Sequence, residues 1–254
     1  MKSLQFANFL AANMDPVYEA MATEVGRQLQ RPIHYIPSQF SGSLEAASVD
    51  VAFICGLPYV HLREQEPAAV ELLAAPILCG ERYQEQPVYF SDIIVNRESD
   101  YRQFSDLAGC RWAFNEEISY SGYWVVAHFL RRQQMGWDFF SQMIQAGSHQ
   151  KAMRMVQART ADAAAIDSQV LAVELKQHPE LTEDLRVIAS IGPSPMPPVI
   201  AASRLPSSLK RDIRQVLLAL HQDQALRELF ASGCIERFTE VDDRHYDAIR
   251  QVIA

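Results

Sequence analysis

The sequence predicts an α/β protein of two lobes, the second inserted into the first. Three observations carry this. Short apolar runs alternate with amphipathic segments from the N-terminus onward. The alternation restarts near Pro87. It is punctuated again by Pro193-Ser-Pro-Met-Pro-Pro198, after which the strand and helix signals no longer continue the second block. Strand–helix alternation of this kind is the pattern of parallel α/β layers, and the inserted block of roughly a hundred residues has the size of a domain.

The elements follow in order. Leu4–Leu10 reads as a strand, and Asp15-Pro16 reads as a cap and first-turn proline for a helix that reaches Leu29. Pro32–Ile36 and Val49–Cys55 read as strands, the latter ending at Gly56. In the second block Val88–Val95 and Cys110–Phe114 read as strands, and the segment after Ser121 as a helix. Ser148–Ala158 reads as a helix, Ala161–Ile166 as a buried strand, Ser168–Lys176 as a helix and Leu185–Ile191 as a strand. Val199–Ala202 is strand-like and the remainder mainly helical, Leu209–His221 most clearly. The expected domains are residues 1–87 with 193–254, and 88–192, with crossovers near 87–92 and 190–198.

Composition narrows the function. The 254 residues carry a net charge of −8, which argues against non-specific nucleic-acid binding but leaves room for a locally positive site. The four cysteines form no CxxC pair and read as small core residues, so neither a zinc ribbon nor a redox motif is expected. No cluster has metal-ligand spacing, and no cofactor or metal is expected. No run has the length of a membrane span, and Met1–Phe6 leads almost directly into a strand with no visible signal peptide. That leaves a cytoplasmic protein, or one whose leader lies outside the sequence.

Three polar strand ends fall in the second block. Ser119-Tyr120-Ser121-Gly122 follows a strand and opens a helix, where free N–H groups and the helix dipole favour an anion and glycine admits a ligand to the backbone. The ordinary explanation of such serines is a helix cap. Gly147-Ser148-His149 opens the next helix, and a lone histidine there is more often a surface or satisfied residue than a ligand contact. Asp167, at the end of Ala161–Ile166, suits a specificity residue or an N-cap. Together the three favour a site, because ligands of doubly wound sheets bind outside the carboxyl ends of the strands.

The stretches DVAFICGLPYV, NEEISYSGYWVVAHFL and AGSHQKAMRMVQARTADAAAID, in this order, resemble the phosphate/phosphonate-binding proteins of ABC transporters, the PhnD-like group of type II periplasmic binding proteins. The resemblance runs over roughly residues 49 to 205. It implies two α/β lobes joined by a two-strand hinge and closing on a small anionic ligand, in a periplasmic protein that serves a permease. A monomer that binds no nucleic acid is expected. It implies that Ser119, Tyr120, Ser121 and Gly122 hold the anionic head and that His149 adds a donor. Asp167 and Tyr89 would line the cleft, with Tyr59 joining from the first lobe. An exposed His149 would titrate near pH 6.5 and bind the anion more tightly as pH falls, while Asp167 would accept a hydrogen bond from a tail on the ligand. Tyr120 stands where phosphonate binders often have Thr, and Glu116 and Glu117 would oppose a dianion unless they turn away. Two rivals remain. One is an enzyme using Ser121, His149 and Asp167 as nucleophile, base and orienter, although the GxSxG elbow is absent. The other is a ligand-sensing regulatory module.

Overall fold

A computed structural model describes residues 3–38 and 49–253, so the reading at Met1 and Lys2 lies outside the described residues. The chain divides into two compact units, residues 1–88 with 195–250, and residues 89–194 with 251–254. It passes between them at the start of one long strand, Val88–Asn96, and at the end of another, Leu185–Pro195.

Unit 1 begins with β1 (Leu4–Asn8), α1 (Asp15–Gln28), β2 (Ile33–Ile36), β3 (Val51–Phe53), α2 (Gly56–Gln65) and β4 (Val70–Leu78). The chain then builds unit 2 from β5 (Val88–Asn96), β6 (Arg111–Phe114), α3 (Val125–Arg132), β7 (Gln142–Gln145), α4 (His149–Gln157), β8 (Ala163–Asp167), α5 (Ser168–Gln177), α6 (Leu181–Asp184) and β9 (Leu185–Pro195). It returns with β10 (Val199–Ala202), α7 (Ser207–Ala219), α8 (Arg227–Ser232), β11 (Ile235–Thr239) and α9 (Asp247–Ile253).

Unit 1 holds a six-stranded sheet in the order β11-β4-β10-β3-β1-β2, and unit 2 a five-stranded sheet in the order β7-β6-β8-β5-β9. Both are mixed. β1 runs parallel to β2 and β3, whereas β10 and β11 pair antiparallel. In unit 2, β6 is parallel to β7 and β8, and β5 is antiparallel to β8. The expectation of parallel layers therefore holds only for part of each sheet: in unit 1 the returning strands β10 and β11 run antiparallel to their neighbours β3 and β4, and in unit 2 the entering strand β5 runs antiparallel to β8.

Each sheet buries near-continuous apolar strands, as a sheet covered by helices must. In unit 1 Phe53 stacks on Tyr18 of α1, with ring centroids 4.1 Å apart. In unit 2 the fully buried Trp112 of β6 stacks on Phe140 at 4.5 Å, and Phe104 packs beside it. Asp15 is the first helical residue of α1 and not its cap, because its carboxylate accepts from the Asn8 amide, the Tyr35 hydroxyl and the Ser38 N–H. Cys110 and Cys234 are buried as expected, but Cys79 is exposed.

Candidate functional site

The three parallel strands β7, β6 and β8 lie side by side, and each delivers the chain to a helix at its carboxyl end. Strand β6 leads to residues 120–124 and α3, β7 to α4, and β8 to α5. Three helix starts therefore share one sheet edge, the position at which open α/β sheets bind ligands. Strand β5 runs the other way with Ser91 opposite Asp167, which brings Tyr89, near its beginning, to the same edge. The Phe90 N–H there donates to the Ser168 hydroxyl at 3.1 Å.

The helix after β6 starts with a π-turn, Tyr120–Trp124. The Trp124 N–H reaches the Ser119 carbonyl at 3.2 Å, five residues back. Such turns are rare and concentrate at functional sites, because the wider turn displaces N–H groups from the regular ladder. Ser119 is the N-cap, and its Oγ accepts from the Gly122 N–H at 3.1 Å. Ser121 lies inside the turn, buried, with Oγ 3.2 Å from His149 Nε2. Gly122 does not serve as an open approach to the backbone. A Cβ there would lie 2.0 Å from Asn115 Oδ1 and 3.3 Å from His149 Cε1, so the missing side chain makes room for these two residues, and the Gly122 N–H is already taken by Ser119.

His149 is the first residue of α4, behind the cap Ser148, whose Oγ accepts from the Lys151 N–H. It is only 4% exposed. Burial lowers its pKa to about 4, since a charged imidazole would lose its hydration there. The Ala165 backbone draws the pKa the other way, less than burial lowers it, and Nδ1 makes no other hydrogen bond among the described residues. The expected imidazolium is thus corrected: at neutral pH His149 is an uncharged ring.

Asp167 stands at the expected strand end, but its Oδ1 caps α5 by accepting from the Gln169 N–H at 2.8 Å and the Val170 N–H at 3.3 Å. Burial pushes its carboxyl up to about 7, with the two amides opposing and the nearby Asp92 charge assisting. Both capping bonds fall on Oδ1, so the N-cap role is the one its contacts define. Tyr120 and Tyr89 are both buried, each about 2% exposed. Tyr59 belongs to unit 1, where its hydroxyl donates to Asp243 at 2.7 Å and its ring tilts against Tyr246. Glu117 is exposed, and Glu116 is half-buried with its carboxyl pushed up by desolvation.

One residue of this cluster has no counterpart in the sequence reading. Asn115, the first residue after β6, is 2% exposed, and its Nδ2 lies 3.4 Å from His149 Nε2. Its Oδ1 has no hydrogen-bond partner among the described residues. A lone Asn after a strand reads as a turn residue; the only cue was its place three residues beyond the buried Trp112 in a run that stays apolar to Phe114.

Comparison with known proteins agrees with this fold. The model of a family described as the phosphonate periplasmic substrate-binding protein of ABC transporters matches residues 6–246. A probable ABC transporter phosphite-binding protein, PhnD1 of Prochlorococcus marinus (strain MIT 9301), is 21% identical over 252 residues, covering 94% of this chain and 84% of that protein. The solved structure of PhnD1 from the same organism, in complex with methylphosphonate, is similar with a TM-score of 0.86 at 20% identity, over 99% of this chain and 97% of that one. A binding protein component of an ABC phosphonate transporter from Pseudomonas aeruginosa is similar with a TM-score of 0.85 at 17% identity, over 99% and 85% of the two chains. With two α/β units and a family match over nearly its whole length, the chain belongs to the phosphonate family of ABC-transporter periplasmic substrate-binding proteins.

Proposed function

We propose that the carboxyl edge of the unit 2 sheet holds the oxyanion head of a small phosphorus compound, a phosphonate, phosphite or phosphate. The observation that carries this reading is the pair of buried hydroxyls on the π-turn. Ser119 Oγ accepts from Gly122, which leaves its proton to donate, and Ser121 Oγ stands beside a neutral imidazole. The π-turn runs on into α3, so the positive end of the helix dipole lies at the two serines. Tyr120 and Tyr89 are the side chains proposed to bound the ligand, and Asp167 supports the site by fixing the start of α5. The ligand would be carried, without being transformed, to an ABC permease by a periplasmic protein, a reading the family supports. The protein would act as a monomer and, being acidic overall, bind no nucleic acid.

The enzyme reading gains one feature and loses two. Ser121 and His149 are within hydrogen-bonding distance, as nucleophile and base would be. However, Asp167 caps α5 through Oδ1, and no carboxylate bonds to His149 Nδ1 among the described residues to orient the ring. A base whose pKa lies near 4 is also poorly matched to work at neutral pH. Calorimetric titration with methylphosphonate, phosphite and phosphate tests the binding reading. Saturable binding of at least one, with no turnover of phosphoester or phosphonate substrates, is expected. Turnover that disappears in both Ser121→Ala and His149→Ala would replace it with the enzyme reading.

A further inference from the structure

Two hydrogen-bond donors converge on one atom at this edge. The Ser121 hydroxyl lies 3.2 Å from His149 Nε2, and the Asn115 amide nitrogen lies 3.4 Å from the same atom. A neutral imidazole with its proton on Nδ1 offers a single lone pair at Nε2, so it can accept fully from only one of them. The two contacts are therefore alternatives. Asn115 is held for this choice: it is 2% exposed, and its Oδ1 is lodged against the side-chain-free Gly122 without a hydrogen-bond partner among the described residues.

We infer that Asn115 is a positioning residue that takes over His149 Nε2 when the Ser121 hydroxyl turns to a bound oxyanion. Without it, each Ser121–ligand hydrogen bond would strand a buried imidazole nitrogen, and an unmade bond to a buried polar group is costly. With it, the hydroxyl changes partner while the ring stays paired. This inference rests on the proposed oxyanion site and assigns a role that the serines and the histidine cannot fill alone. It also gives Gly122 its reason, because any side chain there would displace the amide from the ring.

A double-mutant cycle tests it. Methylphosphonate, phosphite and phosphate are titrated into wild type, Asn115→Ala, Ser121→Ala and the double variant, with unfolding curves to confirm that each is folded. Asn115→Ala is expected to weaken binding about tenfold, and to do so only while Ser121 is present, so that the double variant matches Ser121→Ala. Nitrogen NMR of the ligand-free wild-type protein is expected to show His149 with Nδ1 protonated and Nε2 bare. Affinity unchanged in folded Asn115→Ala, additive effects in the cycle, or a proton on Nε2 would each overturn the proposal while leaving the oxyanion site standing. A wild-type protein that binds none of the three anions would overturn both.

Discussion

Two polar clusters, a half-exposed one in unit 1 and a buried one in unit 2, are built on opposite principles. In unit 1 the Tyr59 hydroxyl donates to Asp243, and the same carboxylate accepts from Arg250 through two contacts of 2.9 and 3.0 Å. Opposite charges and a phenol saturate one another, holding the Asp243 carboxyl below its usual range against the opposing effect of burial. In unit 2 the cluster of Asn115, Ser121 and His149 contains no charge at neutral pH, leaves Asn115 Oδ1 and His149 Nδ1 without partners among the described residues, and brings two donors to one acceptor. A saturated cluster ties elements together. An unsaturated one retains hydrogen-bonding capacity that a ligand can use.

The comparison breaks most readily at Gly122. Gly122→Ala places a Cβ against Asn115 and His149, and overpacking of this kind costs about 1–3 kcal/mol. Thermal unfolding should show that loss, and Asn115→Ala in the same chain should recover part of it. A wild-type melting temperature in Gly122→Ala alone would mean that the cluster is loosely packed.

The next effect is in pH. Asp167 has its folded pKa raised from 3.8 to about 7, so the fold binds more protons than the unfolded chain between these values, and its contribution to stability declines as pH rises through that window. His149 has its folded pKa lowered from 6.5 to about 4, so its contribution is complete above 6.5 and is lost as pH falls toward 4. The two slopes oppose each other. Asn caps helices about as well as Asp, so Asp167→Asn removes the first slope and keeps the cap. Relative to wild type, the variant should gain stability with rising pH between about 4 and 7, on the order of 1 kcal/mol per pH unit. Urea unfolding of both proteins across that range checks it, and parallel curves would place the Asp167 carboxyl outside the buried core.

The smallest effect sharpens the contrast from the other side. Tyr59→Phe removes one hydrogen bond to the Asp243 carboxylate, whose half-exposure to solvent reduces the bond's worth, and should cost about 0.5–1.5 kcal/mol of stability with no change in oxyanion affinity. Weakened binding in the folded variant would return Tyr59 to the ligand site.

Much of the fold was legible because strand and helix periods differ and because Pro87 and the Pro193–Pro198 run interrupt them. Strand β4 was not. Pro76 within it argues against a strand, yet β4 pairs with β10 along residues 70–74 and with β11 along 75–78, so the missing N–H falls outside the β10 ladder. Strand β11 was lost in a tail that reads as helical. In the site, Ser119, Ser121 and His149 stood out because small and hydroxyl residues before apolar runs mark helix starts. The charge state of His149 was not legible, since it depends on burial contributed by distant elements. Nor was Asn115, whose importance lies in a distance to a residue 34 positions away. The π-turn has no sequence signal distinct from that of an α-helix start.

The most direct measurement is the affinity of Ser121→Ala for whichever of methylphosphonate, phosphite and phosphate the wild type binds, by titration calorimetry at pH 7. A hydrogen bond from the hydroxyl to a charged oxygen is worth about 1.5–3 kcal/mol, so binding weakened about tenfold to a hundredfold is expected in a variant that unfolds like wild type. Undiminished affinity in that folded variant would contradict the oxyanion site, and would leave Ser121 no more than a packing residue against His149.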